Sequence, residues 1–98
     1  MEAPDRVGVG GTPGSGPLLV LMLRIRDELI TEVKCETQGC GVTIAAGSML
    51  TEMITHRALR ECGSITVESL SQALGGVPAD KAHAPALAVA ALQDALKR

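Results

Sequence analysis

The chain contains no Phe, Tyr or Trp, so its core has to be assembled from Leu, Ile, Val, Met and Ala. The same deficit removes the rings on which single-stranded bases stack, and nine Lys and Arg stand against eleven Asp and Glu, a formal charge of −2. Both facts argue against a nucleic-acid partner. The apolar run Leu18 to Leu23 covers six residues, where a membrane helix needs about 20. The opening Met1-Glu2-Ala3-Pro4-Asp5 has neither the basic start nor the apolar stretch of a secretory signal, which points to a cytoplasmic protein away from membranes. Cysteine is scarce and odd in number. Cys35, Cys40 and Cys62 follow no framework spacing, as expected of reduced thiols rather than structural disulfides.

What is present suits one small domain: 98 residues, 46% hydrophobic and 20% charged. A chain of this length buries only roughly 65% of its extended surface, so the core is thin and self-association into a homo-oligomer would reinforce it. Residues 7–16, VGVGGTPGSG, hold five glycines and one proline; so permissive a backbone with so few side chains predicts a mobile arm over 1–16, with the packed domain over 17–98. Leu18 to Ile25 and the run from Leu29 to Cys35, separated at Asp27-Glu28, predict a β-hairpin. Strict alternation in the second run would put Thr31, Val33 and Cys35 on the covered face, with Ile30, Glu32, Lys34 and Glu36 on the wet one.

Val42, Ala45, Ala46, Met49, Leu50, Met53 and Ile54 recur at helical spacing and predict an amphipathic helix over 42–56. Ser64 or Thr66 can cap a second, short helix that Gly75 and Gly76 close. Pro85 opens a last helix to Lys97 that turns Leu87, Ala88, Ala91, Leu92, Ala95 and Leu96 inward. Strand, strand, helix, short helix, helix gives an α+β fold, a small antiparallel sheet packed against helices, with Met49, Leu50, Met53, Leu87 and Leu92 in the core.

Three positions carry possible chemistry. Cys40, in Gln38-Gly39-Cys40-Gly41, stands where the sheet passes into the long helix; unpaired amides and the positive end of the helix dipole favour a thiolate there, while a small buried packing residue is the alternative. Cys35 is expected in the core and Cys62 in packing. His83, in Asp80-Lys81-Ala82-His83-Ala84-Pro85, lies beside a cation and an anion just before the last helix. His56, late on the polar side of the long helix, is expected in solvent. No cysteine pair, HExxH or carboxylate dyad completes a metal or hydrolytic site by spacing alone.

The blocks TQGCGVTIAAGSMLTEMI and LGGVPADKAHAPALAVAALQDAL, with GTPGSGPLLVLMLRI before them, resemble the IscU, SufU and NifU N-terminal-type scaffolds of iron-sulfur cluster assembly over about Gly11 to Leu96. That resemblance implies three cysteines, an aspartate and a histidine on loops at one end, holding zinc or a nascent cluster. Position by position, Cys40 matches the central cysteine, His83 the histidine and Lys81 the lysine before it, with Asp80 and Ser15 as accessory candidates. Ser15 stands for the first cysteine, Pro17 for the aspartate and Ala84 for the last cysteine. Where a cluster or a structural zinc wants about four donors, one thiolate and one imidazole remain.

The resemblance therefore implies a scaffold-like protein that takes sulfur or metal transiently through Cys40. No cofactor is held tightly; zinc, iron or an iron-sulfur cluster would need ligands from a protein partner such as a cysteine desulfurase or another assembly protein. The alternative is a degenerate scaffold fold retained as a binding module or complex subunit without metal chemistry. An enzyme is not expected, since no third residue orients a Cys-His pair.

Overall fold

A computed structural model describes residues 1–97, the side chain of Ser15 excepted; that side chain and Arg98 lie outside the described residues. Alternation in the apolar run LLVLMLRI drives the centre of the fold: Leu19, Leu21 and Leu23 are wholly buried, while Leu18, Val20 and Met22 point to the other face and are half-buried. These residues belong to β2 (Ser15–Arg26), the middle of a three-stranded antiparallel sheet ordered β1-β2-β3, flanked by β1 (Arg6–Thr12) and β3 (Leu29–Gln38). Asp27 and Glu28, both at positive φ (52° and 64°), make the two-residue turn between β2 and β3, a conformation whose twist matches paired strands.

The helices cover one face. α1 (Gly41–Ile54) lies on β3, and α3 (His83–Leu96) runs over β1 and β2; between them come a 3-10 segment (Leu59–Ser64), α2 (Val67–Ala73) and a 3-10 turn (Ala79–Lys81). Thr66 caps α2 as its sequence suggests, accepting the Ser69 amide at 3.0 Å while the Ser69 hydroxyl accepts the Thr66 amide at 2.9 Å. Ala46, Leu50 and Ile54 from α1 meet Ala84, Ala88, Ala91, Leu92 and Ala95 from α3 over the β2 leucines. Small alanines let α3 approach the sheet closely, which is how a chain without aromatics fills its core. No helix among the described residues is long and apolar enough to cross a membrane.

Three expectations need correction. Residues 6–12 form no mobile arm: they pair with β2 from Arg6↔Leu23 to Gly11↔Leu18. Gly8 and Gly10 are buried because the backbone of α3 crosses directly over them; a Cβ at Gly8 would overlap the Ala91 carbonyl oxygen, and one at Gly10 the Leu87 carbonyl oxygen. Glycine here serves close packing rather than mobility. The latch is completed by polar bonds: Arg6 Nη1 donates to the Ala95 and Leu96 carbonyls (3.3 and 3.2 Å), and the Val9 amide donates to Asp94 Oδ2 (2.9 Å).

Strict alternation in β3 also fails. The β2–β3 register shifts between Arg24 and Ile25, leaving Thr31 as an extra residue. Ile30 is therefore fully buried on the helix side, the face shared beyond the bulge by Val33, Cys35 and Thr37, all half-buried; one inserted residue restores a face that strict period two would have reversed. Lastly, Leu50 and Leu92 are buried as expected, but Met49, Met53 and Leu87 sit at the rim of the core, half-buried.

Candidate functional site

Leu18 of β2 pairs with Gln38 of β3, so the β1–β2 turn and the end of β3 lie at one end of the sheet. Ser15 opens β2 there and Pro17 follows it. The chain leaves β3 through Gly39 and enters α1 at Cys40, its N-cap residue, in an extended conformation (φ −79°, ψ 174°). A side chain at position 39 would press on Thr43, its Cβ 2.9 Å from the Thr43 hydroxyl, which explains a glycine immediately before the cysteine. The Leu87 side chain lies against Gly11 at the end of β1, and His83 and Ala84 are one turn earlier on α3. The sequence-predicted positions thus converge in backbone at one end of the fold.

Their side chains differ in what they offer. Cys40 is half-exposed. Its thiol is held below the ordinary value, first by the Thr43 backbone amide, then by the Thr43 hydroxyl (Sγ···Oγ1 3.7 Å) and the Val42 amide; slight desolvation opposes them, and the Lys81 cation adds to them. This is the expected physics of a thiol at a helix start, where amides without intrahelical partners meet the sulfur. Lys81 closes the 3-10 turn before α3 and is half-buried; Asp80 and His83 are exposed. Ala84 is wholly buried among core residues.

The other cysteines belong to packing. Burial pushes the Cys35 thiol up to about 11, with the neighbouring Glu36 charge adding to it. Cys35 is half-buried at the sheet edge rather than sealed in the core, and it touches α1 where a Cβ on Gly47 would lie 2.7 Å from its sulfur. Cys62 is fully buried and its thiol donates to the Ala58 carbonyl at 3.6 Å; desolvation also raises it, opposed by Arg57 and assisted by Glu61. His56 is exposed, just past the end of α1.

Thr43 is the residue that sequence reasoning missed. It is a fully buried polar side chain whose hydroxyl meets the Cys40 sulfur. Its signal was a threonine three places after a cysteine at a helix start, the position from which a side chain reaches back to the N-cap.

Beside Cys40, a groove of about 200 Å³ lies between the first turns of α1 (Gly41, Val42, Ala45) and the segment carrying Leu74, Gly76, Val77 and Pro78. A thiol with a lowered pKa thus sits next to an apolar cleft with a cation nearby. A cluster or a structural zinc requires about four soft or borderline donors. Among the described residues, no group of three or more His, Cys, Asp and Glu side chains gathers closely enough to hold a metal. The donors present do not fit a cluster held by these residues alone.

The family model described as the NifU-like N-terminal domain matches residues 1–98. An iron-sulfur cluster assembly scaffold protein IscU of Archaeoglobus fulgidus is 38% identical over 96 residues, covering 98% of this chain and 63% of that protein. The IscU scaffold of Aquifex aeolicus is 32% identical, with 99% of this chain and again 63% of that protein covered. The chain therefore spans less than two thirds of the length of these relatives. In three dimensions, the N-terminal part of a NifU-like protein from Brucella abortus superposes with a TM-score of 0.69 at 19% identity, over 99% of this chain and 80% of that one.

Proposed function

The chain belongs to the NifU-like N-terminal domain family, and from that premise we propose that it serves iron-sulfur cluster assembly as a transient sulfur acceptor on Cys40. One observation carries this reading: of three cysteines, Cys40 alone combines exposure with a lowered pKa, while those of Cys35 and Cys62 are raised. The sulfur arrives as the outer atom of a persulfide on a partner of the cysteine desulfurase type. The Cys40 thiolate attacks that outer sulfur, a new S–S bond forms on Cys40, and the partner's S–S bond breaks, its cysteine leaving as a thiolate. The exchange has no net redox change and needs no further reactant.

Thr43 and the helix start stabilise the attacking thiolate, and Lys81 draws anionic sulfur toward it. His83, exposed at the start of α3, is the candidate to assist in proton transfer or to contribute a donor. Completion of a cluster falls to ligands beyond Cys40 and His83, so the protein acts as one half of an assembly surface. It is a scaffold component rather than an enzyme.

The test is intact-protein mass spectrometry after incubation with a cysteine desulfurase and free cysteine. A gain of one sulfur atom, mapped to Cys40 and lost in Cys40→Ala, is the expected result. Sulfur on Cys35 or Cys62, or none on any cysteine while a full-ligand relative is loaded in parallel, would refute the reading and leave a binding module without sulfur chemistry.

A further inference from the structure

The two edges of the sheet are treated differently. At β1 the Val9 amide is occupied by Asp94, and α3 lies against the strand. At β3 only the first residues are closed: residues 56–59 lie alongside, with the Ile30 amide donating to the Arg57 carbonyl (2.9 Å), the His56 amide to the Ile30 carbonyl (2.7 Å) and the Leu59 amide to the Glu28 carbonyl (2.8 Å). Leu29 and Ala58 form an antiparallel bridge. In an antiparallel ladder the N–H and C=O of a residue point to the same side. Those of Ile30 point outward, and so do those of the residues that share its face beyond the bulge, Val33, Cys35 and Thr37.

These three residues also line a groove of about 420 Å³ whose opposite wall is one strip of α1, Ile44, Ser48, Thr51 and Glu52. Ile44 is 54% exposed, the most exposed of the large apolar side chains identified on the surface. The groove has a wall of free backbone donors and acceptors, a helical wall with an apolar centre, and a carboxylate at one end. An extended strand has the matching chemistry: its backbone completes the ladder and alternate side chains enter under α1. Charge selects among strands. Glu32 is answered by Arg24 at 3.3 Å, leaving Glu36 and Glu52 against Lys34 around the edge. We infer that the free edge of β3, from Val33 to Thr37, binds an extended basic segment of a partner protein by strand addition, with an apolar side chain on Ile44 and a cation toward Glu52.

The probe is a short fluorescein-labelled peptide, Thr-Lys-Thr-Val-Thr-Lys-Thr, whose valine and lysines share one face of a strand, capped at both ends and followed by anisotropy at low salt; its counterpart carries glutamate for lysine. The basic peptide should bind about 10-fold more tightly than the acidic one, and Glu52→Lys should invert that order. Thr37→Pro removes one outward N–H without touching the inward ladder, and Ile44→Glu alters an exposed helix position; each should cut binding about 10-fold or more in a protein that melts like the parent. Equal binding of both peptides, indifference to Thr37→Pro together with Ile44→Glu, or no binding by either peptide would overturn the assignment. So would concentration-dependent dimerisation abolished by Ile44→Glu, which would make the occupant a second copy.

Discussion

Gly8→Ala tests the tightest contact in the fold. In most strands alanine for glycine is favourable, since glycine costs about 0.5–1 kcal/mol in backbone entropy. Here the added Cβ would overlap the Ala91 carbonyl oxygen and lie 2.5 Å from the Ala95 nitrogen and 2.8 Å from its Cβ. Backbone cannot rotate away as a side chain can, so α3 has to retreat. Retreat loosens the alanine face of α3 and stretches the Val9–Asp94 and Arg6–Ala95 bonds, each worth about 1 kcal/mol. Overpacking of this kind costs about 1–3 kcal/mol. Set against the entropic gain, the net loss is about 2 kcal/mol, a fall in Tm of about 8–16 °C for a domain of this size. Gly63→Ala is the control: open space surrounds its Cβ position, and its effect should stay within about 1 kcal/mol. Thermal unfolding followed by far-UV circular dichroism reads both. If Gly8→Ala melted no lower than Gly63→Ala, α3 would not rest on β1 and the glycine-rich segment would be the mobile arm its composition suggests.

Cys40 should alkylate before Cys35 and Cys62 at neutral pH, because its pKa is lowered and theirs are raised; peptide mapping after a brief substoichiometric iodoacetamide pulse gives the order, and early labelling of Cys62 would contradict it. Cys35 makes stability fall in alkali: its raised folded-state pKa contributes stability below the ordinary value near 9.0, lost as pH rises toward about 11. Urea midpoints across that interval should drop less in Cys35→Ala than in the parent, and parallel curves would sink this account. Zinc affinity, read by competition with a chromogenic chelator, should rise about 100-fold or more in Ser15→Cys with Pro17→Asp, since both positions open β2 at the Cys40 end. Ala84 is left unchanged because it is buried in the core; an unchanged affinity would mean that the backbone no longer aims ligands at one point.

How far sequence alone reaches follows from where information is local. The hairpin, the capped α2 and the stripes of α1 and α3 were legible because period and capping are properties of a few neighbouring residues. Cys40 was legible as a thiol at a helix start for the same reason, with Gly39 and Gly41 beside it. Gly8 and Gly10 were misread because flexible glycine and tightly packed glycine have the same composition, and the helix that distinguishes them lies about eighty positions away. Ile30 was misplaced because a bulge is a property of a strand pair, visible only once Arg24 meets Glu32 while Ile25 meets Ile30. The position of Lys81 beside Cys40 likewise depends on tertiary closure.

The Arg6 bonds to Ala95 and Leu96 have a consequence for how the protein is made. They join groups 89 and 90 positions apart, and β1 takes its main helical cover among the described residues from α3. During synthesis, the first strand emerges long before the helix that shields its glycine face, and no earlier element can substitute for it. Contacts of such separation slow folding, because the closure entropy is spent before they form. A nascent chain stalled before α3 should therefore hold β2, β3 and α1 together while β1 remains open to proteases, and the strand should become resistant once α3 has emerged and docked.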